Sequence, residues 1–136
     1  MKNFLNIADH SSSLLRNLID KSKDRKIKRD GQNKSSTDND KPLEGKSMIM
    51  IFEKPSTRTR ISFDLAIKQL GGSSVILNPD EIHYGKGDES LKDTARVLSE
   101  YADILMIRTS SHKNLEEFTK YSNIPVINGL SDQSHP

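Results

Sequence analysis

Apolar and polar residues fall along this chain in two kinds of block. Short apolar runs at 48–52, 74–77, 104–107 and 125–128 are bounded by polar residues, as buried strands are. Between them, apolar residues recur at helical spacing. Leu14, Leu15, Leu18 and Ile19 share a face of a first helix, with Asp9 placed to cap it. Phe63, Ala66, Ile67 and Leu70 fall at i, i+3, i+4 and i+7, and Gly71-Gly72 closes that helix. Asn78-Pro79-Asp80 breaks the second strand. Ser90-Leu91-Lys92-Asp93 opens a helix in a capping-box pattern, carrying Leu91, Ala95, Leu98 and Ala102 on one face. Asn114 with Glu117 opens a shorter helix bearing Leu115 and Phe118. Short apolar strands separated by amphipathic helices predict an α/β domain with a parallel four-stranded sheet flanked by helices.

One stretch departs from this rhythm. Residues 21–41 run from a basic cluster into a polar tract, which predicts a mobile linker whose basic half can extend the first helix. No aromatic residues are interleaved with those charges, so a nucleic-acid patch is disfavoured. The 32% hydrophobic content is low, and this segment accounts for part of the deficit. The remainder of the 136 residues can still build one modest core, so residues 1–136 read as a single domain. A net charge of +2 gives no reason to expect nucleic acid as a partner. The absence of cysteine excludes disulfides, thiolate metal sites and a cysteine nucleophile. No apolar run approaches the ~18 residues that span a bilayer. The N-terminus lacks the apolar core of a secretory signal, so a cytoplasmic protein without membrane partners is expected.

The chemistry concentrates in Phe52-Glu53-Lys54-Pro55-Ser56-Thr57-Arg58-Thr59-Arg60. This stretch joins a predicted strand to a helix, where unpaired N–H groups and the helix dipole favour an anion. Ser56, Thr57, Arg58 and Thr59 supply hydroxyls, N–H donors and a planar guanidinium, the combination a phosphate dianion needs. An ordinary N-cap at Ser56 or Thr57, with arginines on a solvated first turn, accounts for the same residues. Cost tips the balance: two arginines in a first turn oppose the dipole by ~0.3–1 kcal/mol each unless an anion is present. Arg108 by itself also suits a strand-end ion pair, and lone loop histidines such as His83 and His135 are usually solvated. Asp93 and Arg96 read as structural, a helix cap and a helix-surface ion pair. In parallel sheets, however, ligands bind beyond the carboxyl ends of the strands. Residues 52–59, Arg108 and residues 128–136 all lie at such ends.

Residues 52–59 resemble the carbamoyl-phosphate signature of the transcarbamoylases. Further matches are Lys92-Asp93-Thr94-Ala95-Arg96-Val97-Leu98-Ser99, Ile107-Arg108, and Asn128-Gly129-Leu130-Ser131-Asp132 running into His135-Pro136. Nearly the whole chain is similar to the first domain of the ornithine branch. The resemblance implies the carbamoyl-phosphate-binding domain of that family, here incomplete. It also implies carbamoyl transfer from carbamoyl phosphate to ornithine, giving citrulline and phosphate, in arginine biosynthesis, with no cofactor and no metal. On this resemblance Ser56, Thr57, Arg58 and Thr59 would bind the phosphate, and Arg108 would reach the phosphate and carbonyl. His135 would donate to the carbonyl oxygen, so Thr59, Arg108 and His135 form the catalytic set. His83 would lean into the site of a neighbouring subunit of a homotrimer. Phe52-Glu53-Lys54, and Asn128-Gly129-Leu130-Ser131-Asp132 before His135, resemble the ornithine branch, whereas Pro55 is more typical of the aspartate branch, and both stay open.

Set against the family, the sequence stops inside a motif at His135-Pro136, and the ornithine-binding domain is expected to be absent. Ornithine is then a partner only if that second domain is supplied. Two readings follow: the N-terminal part of a carbamoyltransferase, or a non-catalytic remnant that at most binds phosphate or carbamoyl phosphate. The chain as given is expected to be inactive alone and to expose apolar surface.

Overall fold

The computed structural model describes residues 3–78 and 90–136. Four strands, β1 (Ser47–Phe52), β2 (Ser73–Leu77), β3 (Ile104–Arg108) and β4 (Val126–Leu130), form one sheet in the order β2-β1-β3-β4. Every pairing is parallel, as predicted. Four α-helices connect or precede the strands: α1 (Ser12–Lys28), α2 (Thr57–Gln69), α3 (Leu91–Tyr101) and α4 (His112–Tyr121).

The period of two along the central strands sorts their side chains onto two faces. Ile49, Ile51, Leu105, Ile107 and Val126 face α3 and α4, and pack with Ala95, Leu98, Leu115 and Phe118. Met48, Met50, Phe52 and Met106 face the other way and pack with Ile67 of α2. Burial on both faces explains why β1 and β3 read as unbroken apolar runs. Helix α2 ends as Gly71-Gly72 predicts. Gly71, at φ 92°, donates to Lys68 O, and Gly72 donates to Ile67 O, which closes the last turn.

The strand order places the reversal of winding, the point where successive strands are added on opposite sides, between β1 and β3. From β1 the chain winds outward through α2 to β2, then returns through α3 to β3 on the far side of β1. The carboxyl ends of β1 and β3 therefore flank the crevice in which such sheets bind ligands.

The helix starts depart from expectation where a serine caps better than the acidic or amide residue the pattern suggested. Helix α1 is capped by Ser11, whose hydroxyl accepts from Leu14 N at 3.3 Å, while Asp9 closes a separate 3-10 turn at Ile7–Asp9. Helix α4 is capped by Ser111, which accepts from Asn114 N at 3.2 Å, so Asn114 lies inside the first turn. Helix α3 starts as read: the Ser90 hydroxyl accepts from Asp93 N at 3.2 Å and donates to its carboxylate at 2.7 Å. Arg96 is exposed, with no carboxylate of the described residues in ion-pair reach.

The basic half of residues 21–41 extends α1 to Lys28, as expected. The polar half folds back against the helix. Arg25 bonds Asp38 and Asp40 at 2.7 Å each, and Arg29 pairs with Asp38. Asp40 first, then Asp38, holds the Arg25 guanidinium well above the ordinary arginine value, and Arg25 holds the Asp40 carboxyl low in return. Gln69 of α2 donates to Lys34 O at 2.7 Å, which fastens the same stretch to the domain.

Candidate functional site

Strand β1 ends at Phe52, and the turn through Pro55 delivers Ser56 as the N-cap of α2. Ser56 has extended backbone, and its side chain accepts from Thr59 N at 3.3 Å. Thr57, Arg58 and Thr59 form the first turn, which contains no acidic residue. The helix dipole there is uncompensated by the chain itself and opposed by exposed Arg58 and Arg60.

Arg108, the last residue of β3, meets this turn across the crevice. Its Nη1 lies 3.4 Å from Thr59 Oγ1 and 3.4 Å from Gly129 O, both at the long limit of a hydrogen bond. Its Nε is buried and has no hydrogen-bond partner. An unsatisfied buried donor costs ~1–3 kcal/mol, more when charged, and such a group calls for an acceptor. Long contacts plus an orphan N–H fit a guanidinium shaped for an anion at the head of α2.

Glu53 sets the floor of the crevice. Its carboxylate accepts from Thr109 Oγ1 at 2.8 Å, Ser110 N at 2.7 Å and Ser110 Oγ at 2.9 Å. Its own N–H donates to Arg108 O at 2.9 Å. One side chain thus clamps the end of β1 to the end of β3 beside Arg108. No role for Glu53 is legible in the sequence, because its partners lie far along the chain; the only signal is a carboxylate directly after a buried strand.

The third wall comes from β4, which runs past its predicted end at residue 128. Ile107 pairs with Asn128 but Arg108 with Leu130, so Gly129 is an extra residue in the ladder. A Cβ at Gly129 would lie 2.3 Å from Met106 Sδ, so any larger residue at the bulge would have to displace that buried thioether. Leu130 follows at φ 142°, in backbone space that favours glycine. The chain then turns through residues 131–134 to His135. Ser131 Oγ sits 2.7 Å from Nδ1 of buried His112, and Asp132 accepts from His112 N at 2.6 Å. These contacts fasten the turn to the start of α4.

The structure therefore gathers Ser56, Thr57, Arg58 and Thr59 at one helix N-terminus and brings Arg108 to Thr59. His135 is exposed at the β4 side of the same sheet end and contacts neither. His83 lies outside the described residues. Glu53, His112, Asn128 and Ser131, to which the sequence assigned no role, build the frame. Among the described residues, no cluster of three metal-ligating side chains occurs, and no helix is long and apolar enough to cross a membrane.

A parallel α/β sheet with a helix N-terminus and a strand-end arginine meeting at its switch point defines the class, a domain of the kind that binds small ligands beyond its strand ends. Within that class the chain belongs to the aspartate/ornithine carbamoyltransferase family, whose carbamoyl-P binding domain matches residues 2–136. The ornithine carbamoyltransferase of Rhizorhabdus wittichii is 46% identical over 135 residues, covering 99% of this chain and 43% of that protein. The ornithine carbamoyltransferase of Paracoccus denitrificans is 47% identical over 136 residues, covering 100% and 44%. Among solved structures, the Pyrococcus furiosus ornithine carbamoyltransferase superposes with a TM-score of 0.88 at 41% identity, covering 99% of this chain and 41% of that one. The catalytic subunit of M. jannaschii aspartate transcarbamoylase gives 0.82 at 34% identity, with 100% and 43% covered. The chain thus spans less than half the length of the relatives it matches.

Proposed function

We propose that this domain binds carbamoyl phosphate between α2 and Arg108 and, in the setting of a longer protein of the family, presents it to ornithine. Transfer of the carbamoyl group then gives citrulline and phosphate. The observation that carries this reading is the Arg108 guanidinium, with a buried unpartnered Nε, set against Thr59 at the uncompensated N-terminus of α2.

In this reading Ser56, Thr57, Arg58 and Thr59 hold the phosphate. Arg108 spans the phosphate and carbonyl oxygens, and His135 donates to the carbonyl oxygen. The amine nitrogen attacks the carbonyl carbon, and the C=O electron pair moves onto oxygen. That pair then returns as the C–O bond to phosphate breaks, and phosphate departs with its electrons and takes up the proton the amine nitrogen loses. Donors placed where the oxyanion forms are each worth on the order of 10²–10³ in rate. Holding both reactants in line supplies the rest. A homotrimer in which His83 enters a neighbouring site, a cytoplasmic location and a place in arginine biosynthesis belong to the same proposal.

A second reading is that the 136-residue chain taken by itself binds ligand without turnover. The amine-binding groups then have to come from elsewhere, and the 136-residue chain alone forms no citrulline. The aspartate branch is the alternative acceptor, supported by the aspartate transcarbamoylase superposition.

Thermal melting tests the ligand. Carbamoyl phosphate at a concentration well above its Kd raises the melting temperature of the chain by mass action. Arg58→Ala abolishes most of that shift while leaving the ligand-free melt close to wild type. A wild-type melt unmoved by carbamoyl phosphate contradicts the proposal.

A further inference from the structure

The turn that leads to His135 is held from two sides, by His112 of α4 and by one buried amide of β4. The turn itself is local: Ser131 N donates to Ser134 O at 2.8 Å, and Ser134 N donates to Ser131 Oγ at 3.1 Å. His112 holds its first half, at Ser131 and Asp132, and Asn128 of β4, which is 3% exposed, holds its last residue before His135. Asn128 Nδ2 donates to Ser134 O at 3.3 Å, the carbonyl directly before His135, and to Leu5 O at 3.0 Å. Its Oδ1 accepts from Leu130 N at 2.9 Å. The same amide thus fixes the approach to His135, the N-terminal strap along the β4 edge and the bulge whose far residue sits at φ 142°. Strained backbone persists where the surroundings over-determine it. Leu130 is held on both sides, since Thr109 N also donates to its carbonyl at 2.9 Å.

We propose that Asn128 is a positioning residue that aims His135 at the carbonyl end of the bound ligand, without touching the ligand itself. The inference rests on the reading of the site given above. Its chemistry is directional. A carboxylate at this position keeps the bond from Leu130 N but cannot donate to two carbonyls, so it repels Leu5 O and Ser134 O. Asn128→Asp therefore frees the end of the turn at Ser134, next to His135, while His112 still holds Ser131 and Asp132 and the α2–Arg108 cradle stays in place.

Phosphorus NMR titrations of the full chain with carbamoyl phosphate and with inorganic phosphate separate the two ends of the ligand. Asn128→Asp is expected to weaken carbamoyl phosphate about tenfold, the size of one lost hydrogen bond, with phosphate affinity held within about twofold. His135→Ala is expected to produce the same selective loss, and the double variant no further loss. Melting temperatures serve as the control, since Asn128→Asp lowers stability equally with or without His135. If the aspartate variant does not fold, Asn128→Ser carries the same cycle. The inference is overturned if Asn128→Asp weakens both ligands equally, or if the losses of the two single variants multiply in the double. Failure of the wild type to bind either ligand overturns the site reading itself. Binding of carbamoyl phosphate that is indifferent to His135→Ala removes the role of His135.

Discussion

Ile49 and Ile51 of β1 are buried, whereas Leu18 and Ile19 of α1 are 43% and 47% exposed, although all four are large aliphatic residues in regular elements. The strand has a helical layer on each side; the helix buries none of its residues. An apolar stripe is thus a capacity for burial, realised only when a second layer meets it. What holds α1 is charge at its C-terminal half, through Arg25 and Arg29 on Asp38 and Asp40. The difference matters for function, because every residue of the proposed phosphate site hangs from the buried strands and none from α1. A rigid, doubly covered sheet can hold a guanidinium and a helix N-terminus in register; a helix held by surface ion pairs cannot.

The contrast is broken most severely from the core side. Phe118→Ala removes a fully buried ring between α4 and the sheet and is expected to cost ~3–5 kcal/mol in denaturant unfolding. A loss below ~1 kcal/mol would mean that α4 is not part of the sheet's covering layer. An intermediate effect is expected from Asp38→Ala, which releases two arginines at once. The Asp38 and Arg29 side chains are 11% and 14% exposed but Arg25 is 35% exposed, and both arginines keep other acceptors, so the cost is about 1–3 kcal/mol. Hydrogen exchange should quicken in the C-terminal half of α1 while carbamoyl phosphate binding stays unchanged. Weakened binding there would tie α1 to the site after all. The smallest effect belongs to Leu18→Ser, expected within ~0.5 kcal/mol of wild type and accompanied by better solubility. A loss approaching that of Phe118→Ala would show that the α1 stripe is covered in solution.

The same division explains what was legible in the sequence. Strand runs and helical periodicities announced the sheet and its flanking helices, because burial on one or two faces imprints a period on the residues themselves. Helix starts slipped where Ser11 and Ser111 took the capping role from Asp9 and Asn114. Strand β4 was cut short at residue 128 because the ladder continues only past an extra residue, Gly129, that the apolar pattern does not reveal. Of the site, residues 56–59 were legible because a phosphate cradle is local in sequence. Arg108 was legible because a strand end locates itself. The clamp from Glu53 to Thr109 and Ser110, and the tether from His112 to Ser131, were not. Each joins segments whose adjacency exists only after the strands have ordered as β2-β1-β3-β4.

Calorimetric titration of carbamoyl phosphate into the 136-residue chain bears most directly on the central claim, that the ends of β1 and β3 form a phosphate site. Saturable binding of one ligand per chain is expected, competed by inorganic phosphate and lost in Arg108→Ala. No heat of binding in the wild type, or binding unchanged by Arg108→Ala, would contradict that claim.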